Sequence, residues 1–231
     1  VQVEVVNTGY RGAFNKGAVV CCFNIGPTPL VFISSHLAAR EGAAKRLRRN
    51  ADVISIMKAA KKNIRCPKLG LEATAHHIFW LGDLNYRVGT CDGTPVDAEF
   101  RAAVHKSISL QNYEVLLQGD ELKIEQEAGR VFSGYETPEA KFAPTYKVQR
   151  SLPYAEYNPL RTPSYTDRIL VHSLPGAKIT NDLYDAVFEV KSSDHKPVRG
   201  TYTISERKAQ PRLQTQLPME CRPRVLFHSI T

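Results

Sequence analysis

The chain has 231 residues, 42% of them hydrophobic, and 31 Lys and Arg against 23 Asp and Glu give a net charge of +8. A chain of this length and composition can bury one large core or two small ones, which excludes a disordered protein, and its positive balance favours an anionic partner: a phosphate-bearing substrate, an acidic membrane or a nucleic acid. Five cysteines (Cys21, Cys22, Cys66, Cys91, Cys221) without CxxC spacing argue against a disulfide framework or a cysteine zinc site and for a reducing, cytosolic compartment. No apolar run approaches the roughly 20 residues of a membrane helix and no signal-peptide pattern stands at Val1, so any membrane contact is expected to be peripheral.

Residues 1–6 carry valines in strand-like alternation, and the chain begins there as if in mid-strand. Residues 7–17 form a turn-rich loop with Tyr10 and Phe14 between glycines, aromatics that either pack under the loop or dip into a lipid surface. Residues 18–25 and 30–34 predict two further strands and complete a meander, with His36 directly after the third. From 43 to about 61, Leu47, Val53, Ile54, Met57 and Ala60 recur at helical spacing; Lys45, Arg46, Arg48, Arg49 and Lys58 take other faces, read as solvated.

The stretch 77–87 organises the rest. An apolar strand, 78–81, stops at Gly82 and is followed at once by Asp83 and Asn85. Side chains at i and i+2 of an extended chain project together, so the carboxylate and the amide are expected at one rim. Thr94-Pro95 then opens a helix over 96–107; 111–118 and 120–128 add two short ones. Residues 134–163, rich in Pro, Tyr and Lys, predict an ordered loop, and strands follow at 168–172, 187–190 and 197–204. Beyond Ser205 the chain reads as a basic linker or tail, leaving 1–205 as the folded unit.

Strand ends thus offer His36, Asp83 with Asn85, Asp167, and Asp194 with His195. Strands interleaved with helices suggest a layered α/β protein whose rims gather on one face. Two aspartates, an amide and two histidines suit hydrolysis around a hard divalent metal such as Mg²⁺.

Six segments in order, Asn15-Lys16-Gly17-Ala18-Val19, Ser35-His36-Leu37-Ala38-Ala39, Trp80 through Arg87, Pro144-Thr145-Tyr146-Lys147, Pro163 through Leu170, and Ser193-Asp194-His195-Lys196-Pro197-Val198, together resemble the catalytic domain of inositol polyphosphate 5-phosphatases. The resemblance implies the DNase I-like four-layer α/β sandwich, incomplete at the N-terminus, and Mg²⁺-dependent removal of a 5-phosphate from phosphoinositides or soluble inositol polyphosphates. It implies that Asp83 activates water, Asn85 orients it or the phosphate, His195 contacts the scissile phosphate under the control of Asp167, and His36 holds a phosphate oxygen. Asp194 is expected beside the metal, whose main ligand, a Glu, lies in the family upstream of the tract matching residues 1–6. Asn15, Lys16, Arg87, Tyr146, Lys147, Arg161 and Lys196 are expected to contact substrate, although a lysine frequent in the family two places before Arg161 is Pro159 here. A cytoplasmic protein peripheral to acidic membranes follows. A nuclease of the same superfamily and a non-catalytic phosphoinositide-binding module are the competing readings; the pairs Tyr86-Arg87, Tyr146-Lys147 and His195-Lys196 disfavour the nuclease.

Overall fold

A computed structural model describes residues 1–9, 15–62, 70–90 and 94–205. The elements are β1 (Gln2–Asn7), β2 (Gly17–Ile25), β3 (Thr28–His36), α1 (Ala43–Lys62), β4 (His77–Asp83), α2 (Ala98–Ser109), α3 (Tyr113–Gln118), α4 (Glu121–Glu127), β5 (Asp167–Ser173), β6 (Ile179–Ala186) and β7 (Val198–Ile204). Strands β1 to β5 form one sheet in that order, and β6 and β7 pair in a second. All neighbours in the first sheet are antiparallel except β3 and β4, whose parallel pairing requires a crossover, supplied by α1.

Alternation decides the faces. On one side Val20, Ile33, Ile78, Trp80 and Leu170 pack against Val53, Ile56 and Ala60 of α1 in a buried core. Full burial of such side chains contributes about 1.5–3 kcal/mol each. On the other side Phe23, Phe32 and Phe79 stack in a row at 5.6 and 4.8 Å, and Phe79 meets the edge of Tyr202 from β7 at 5.4 Å, which docks the second sheet on the first. A second core, with Val104 of α2, Leu116 and Leu117 of α3, Phe142, Tyr165 and Ala186 of β6, seats those helices on the smaller sheet. Two packed sheets flanked by helices are the expected sandwich.

Four expectations are corrected. Helix α1 exists, but Leu47 and Ile54 are exposed while Arg49 is fully buried, because Glu121 of α4 draws the arginine inward. Helix α2 starts at Ala98 rather than behind Thr94-Pro95, since the Asp97 carboxylate caps it by accepting from the Phe100 amide at 2.8 Å. The strand expected at 187–190 lies just upstream, as β6; half of its residues are exposed and only Ala186 is buried, so it lacks the apolar run that marks a buried strand. His195 stands before β7 in a connecting loop, not at a strand end. The 206–231 tail, Tyr10, Phe14, Cys66, Cys91 and Cys221 lie outside the described residues; Cys21 and Cys22 are free thiols.

Candidate active site

Register builds the first half of the site. His36 ends β3, Asp83 ends β4 and Asp167 begins β5, and the ladders pair His36 with Asp83 and Asp83 with Asp167. Three functional side chains therefore stand in one row across three adjacent strands. Gly82 makes this approach possible: its φ is +121°, and a Cβ there would run into the carbonyl oxygen of Ser35. Asp83 Oδ1 accepts from the Asn85 amide at 3.0 Å, and Oδ2 lies 3.1 Å from His36 Nε2. That nitrogen is also 2.6 Å from Lys16 Nζ. It can accept from the ammonium or donate to the carboxylate, not both at once, so the His36 tautomer chooses between them.

Asn85 departs from the extended geometry expected of it. Its φ is +58°, in the left-handed region that Asn tolerates, and this turns its side chain inward. Asn85 is buried, with Nδ2 donating to Leu37 O at 3.1 Å and Oδ1 accepting from Arg87 Nη2. The amide therefore braces the loops behind the Asp83 carboxylate rather than projecting beside it.

Loops supply the second half. His195 Nδ1 lies 3.0 and 3.2 Å from the two oxygens of Asp167, and Oδ2 of that carboxylate also accepts from the hydroxyls of Thr145 at 2.7 Å and Thr166 at 2.9 Å. Burial alone would lower the His195 pKa. The hydrogen bond and negative charge of Asp167, with Asp83 and Asp194 beyond, outweigh it and hold the imidazole above its ordinary value. Asp167 thus fixes the tautomer with Nδ1–H toward itself and leaves Nε2 for a ligand. The Tyr146 ring packs 4.7 Å from the His195 ring and lies under the Arg87 guanidinium at 4.3 Å.

The remaining expected residues fall in different places. Asn15 and Lys16 line an open hollow with His36 and Asp83. Burial, aided by the Arg87 charge and opposed by Asp83, lowers the Lys16 pKa. Lys147 bridges to Asp194 Oδ2 at 3.0 Å and Arg150 to Oδ1 at 3.3 Å. Burial would raise the Asp194 carboxyl, but its hydrogen bond from Lys147 leads the interactions that bring it below the ordinary range. Asp194 therefore faces two cations, and the acidic cluster consists of Asp83, Asp167 and His195. Arg161 is exposed at the surface. Arg87 is buried behind Asn85 and Tyr146. Lys196, expected to contact substrate, is fully buried, and its ammonium donates to the carbonyls of Leu152, Phe188 and Val190 at 2.7 to 2.9 Å. All three donors are used in holding the loop, which leaves none for a phosphate.

Ligand atoms of Asp83, Asp167 and His195 lie within 4.8 Å of one another, the one such grouping among the described residues. Two carboxylates match the hard-oxygen preference of a divalent cation such as Mg²⁺, while Nδ1 of His195 is already engaged by Asp167. Sequence reasoning missed Thr145, Thr166 and Arg150. The first two stand inside quoted segments; Thr166 directly precedes Asp167, where a hydroxyl beside a carboxylate was the available signal, while nothing next to Thr145 gave one.

A row of His36, Asp83 and Asp167, with His195 held by Asp167 and Lys16 beside His36, suits the hydrolysis of an anionic ester. The profile described as endonuclease/exonuclease/phosphatase family 2 matches residues 1–201, and the chain belongs to that family. It is 35% identical over 234 residues to type I inositol polyphosphate 5-phosphatase 8 of Arabidopsis thaliana, covering 94% of this chain and 46% of that protein. Against phosphatidylinositol 3,4,5-trisphosphate 5-phosphatase 1 of Mus musculus it is 35% identical over 212 residues, 87% of this chain and 17% of that one. The chain thus spans less than half the length of either relative. Among solved structures, the inositol polyphosphate 5-phosphatase domain of spsynaptojanin, in complex with inositol (1,4)-bisphosphate and calcium ion, matches with a TM-score of 0.68 at 28% identity, over 87% of this chain and 54% of that one. A Cimex nitrophorin ferrous NO complex matches with the same TM-score of 0.68 at 24% identity, over 89% and 64% of the two chains; this is a likeness of fold alone.

Proposed function

We propose that the protein is a Mg²⁺-dependent phosphomonoesterase that removes the 5-phosphate from phosphoinositides or soluble inositol polyphosphates. The observation that carries this reading is the meeting of Asp83 with the Asp167–His195 pair at one rim of the sheet, in a chain related to 5-phosphatases along most of its length. Asp83, mostly shielded from solvent beside the more exposed His36, accepts the proton of the attacking water. His195 turns Nε2 to a phosphate oxygen as an imidazolium whose charge Asp167 sustains. Lys16 and His36 flank the phosphate on one side and Lys147 on the other. Asp83 and Asp167 would hold the cation, which when bound neutralises phosphate charge and acidifies water. Such help is required by magnitude: phosphate-monoester hydrolysis needs up to about 10²¹-fold acceleration, and one general acid or base gives about 10² to 10⁴.

The same reading makes the protein cytoplasmic and peripheral to acidic membranes, supported by the +8 charge. No helix among the described residues is long and apolar enough to cross a membrane. The test is phosphate release by the full-length protein from inositol phosphates with and without a 5-phosphate, in Mg²⁺ and then in chelator. Release confined to 5-phosphate substrates and stopped by chelator is expected. Nicking of plasmid DNA without phosphate release would replace the reading by a nuclease, and lipid binding without turnover by a binding module.

A further inference from the structure

Behind the site lies a buried ion pair that the chemistry above does not use. Glu121, the first residue of α4, and Arg49, in the second turn of α1, are both buried, and the Arg49 Nη2 donates to Glu121 Oε2. Taking two charges out of water is costly, and a pair of this kind often adds no stability over apolar residues of equal volume. Its other hydrogen bonds show where it acts. Arg49 Nη1 donates to the carbonyls of Ala38 at 3.2 Å and Arg40 at 2.8 Å, in the loop that follows His36. Glu121 Oε2 accepts the Arg87 amide at 3.0 Å, and the Glu121 amide donates to Arg87 O at 2.9 Å, so both peptide groups of Arg87 are gripped by one residue. Arg87 in turn holds Asn85 through Nε to its carbonyl and Nη2 to its side-chain oxygen, and its guanidinium covers the Tyr146 ring that packs on His195.

We infer that Glu121 is a positioning residue of the site: with Arg49 it locks the loops after β3 and β4 to each other and fixes Arg87 as the spacer between the Asp83 half and the His195 half. This rests on the phosphatase reading for its kinetic consequence, though not for its structural one. Displacement of a catalytic group by about 1 Å can cost about 10²-fold in rate.

Both side-chain hydrogen bonds at Glu121 end on one oxygen, and this gives the test its form. In the full-length enzyme, Glu121→Gln retains a carbonyl oxygen that can serve both donors, but leaves Arg49 without its counter-charge. Glu121→Leu keeps similar volume and offers no acceptor. Both substitutions are expected to lower the melting temperature, whereas only Glu121→Leu should lower kcat, by about 10²-fold, with KM changed less than about 3-fold. The His195 ring resonances should move in Glu121→Leu and stay in Glu121→Gln. If Glu121→Leu does not fold, Glu121→Asp, with its charge kept and its reach shortened, takes its place with a kcat loss of about 10-fold. Wild-type kcat in the leucine or aspartate variant, or a loss of kcat that follows melting temperature equally in glutamine and leucine, would overturn the inference. Absence of phosphate release from the wild type would overturn the phosphatase reading instead, and the His195 resonances of the variants would still decide the role of Glu121.

Discussion

The two halves of the site are held by different means. His36, Asp83 and Asp167 stand on consecutive strands, and their spacing is set by ladder hydrogen bonds that no one side chain controls. Tyr146, Lys147, Asp194 and His195 stand on loops whose course depends on a few side chains and isolated bridges: Lys196 on three carbonyls, the Tyr157 hydroxyl on Pro144 O at 2.6 Å, and Tyr146 bridged to Ser164 and His195. The strand half should therefore lose chemistry without losing shape when altered, and the loop half should lose both together.

The largest effect is expected at Asp83. Asp83→Asn keeps size but cannot take the water's proton, so kcat should fall by about 10² to 10⁴-fold with little change in KM. Steady-state kinetics on the full-length protein would show it; a change confined to KM would remove Asp83 from the proton transfer. Next, His195→Ala and Asp167→Asn join the two halves and should each reduce kcat by about 10²-fold, yet the double variant should be little worse than His195→Ala alone. Additive losses in single-turnover rates would mean that Asp167 does not act through the imidazole. In the loop half, Lys196→Met leaves three partly buried carbonyls without their donor and should cost about 2 to 3 kcal/mol of stability. Denaturant melts that match the wild type would show that the loop is held by other contacts.

The smallest effect at neutral pH belongs to the far end of β4. His77 is buried there with Nδ1 2.7 Å from Ser173 Oγ, and burial, with His76 adjacent, lowers its pKa to about 4. The folded state binds this proton less readily than the unfolded state does. Its contribution is complete above about pH 6.5 and is lost progressively as pH falls toward about 4, at no more than about 1.4 kcal/mol per pH unit. Melts of wild type and His77→Gln across that range should diverge in slope while kcat at neutral pH stays alike.

Much of the strand half was legible because strand ends were marked by a polar residue after an apolar run, as at Ser35-His36 and Gly82-Asp83, while the pairing of these ends came only with the structure. Asn85 was not, since its left-handed backbone depends on a turn closed by Leu37 and Arg87 from elsewhere in the fold. Arg49 was misread as solvated for a similar reason: its partner Glu121 is 72 residues away, and nothing in the helical period of α1 announces an acid at that distance. In the loop half, Lys147 came from a resemblance of motifs rather than from any period, and His195 was read as a strand end but stands in the loop before β7. Lys196 shows the limit of that route, because a lysine in a matching motif proved to be a structural cap.

The single parallel pair in the large sheet has a consequence for how the protein comes into being. His36 and Asp83 become neighbours only when the 20-residue helix α1 has crossed over and β4 has docked beside β3. Pairings between distant segments form slowly, because the chain loses loop entropy before the contact rewards it. The hairpin of β2 and β3 can close early and alone, while the rim carrying the reactive groups cannot exist in any early intermediate. Catalytic competence is therefore expected to return late in refolding, after the bulk of the helical signal, and to rise in step with amide protection at Leu37, whose N–H is bonded to Asp83 O across that junction.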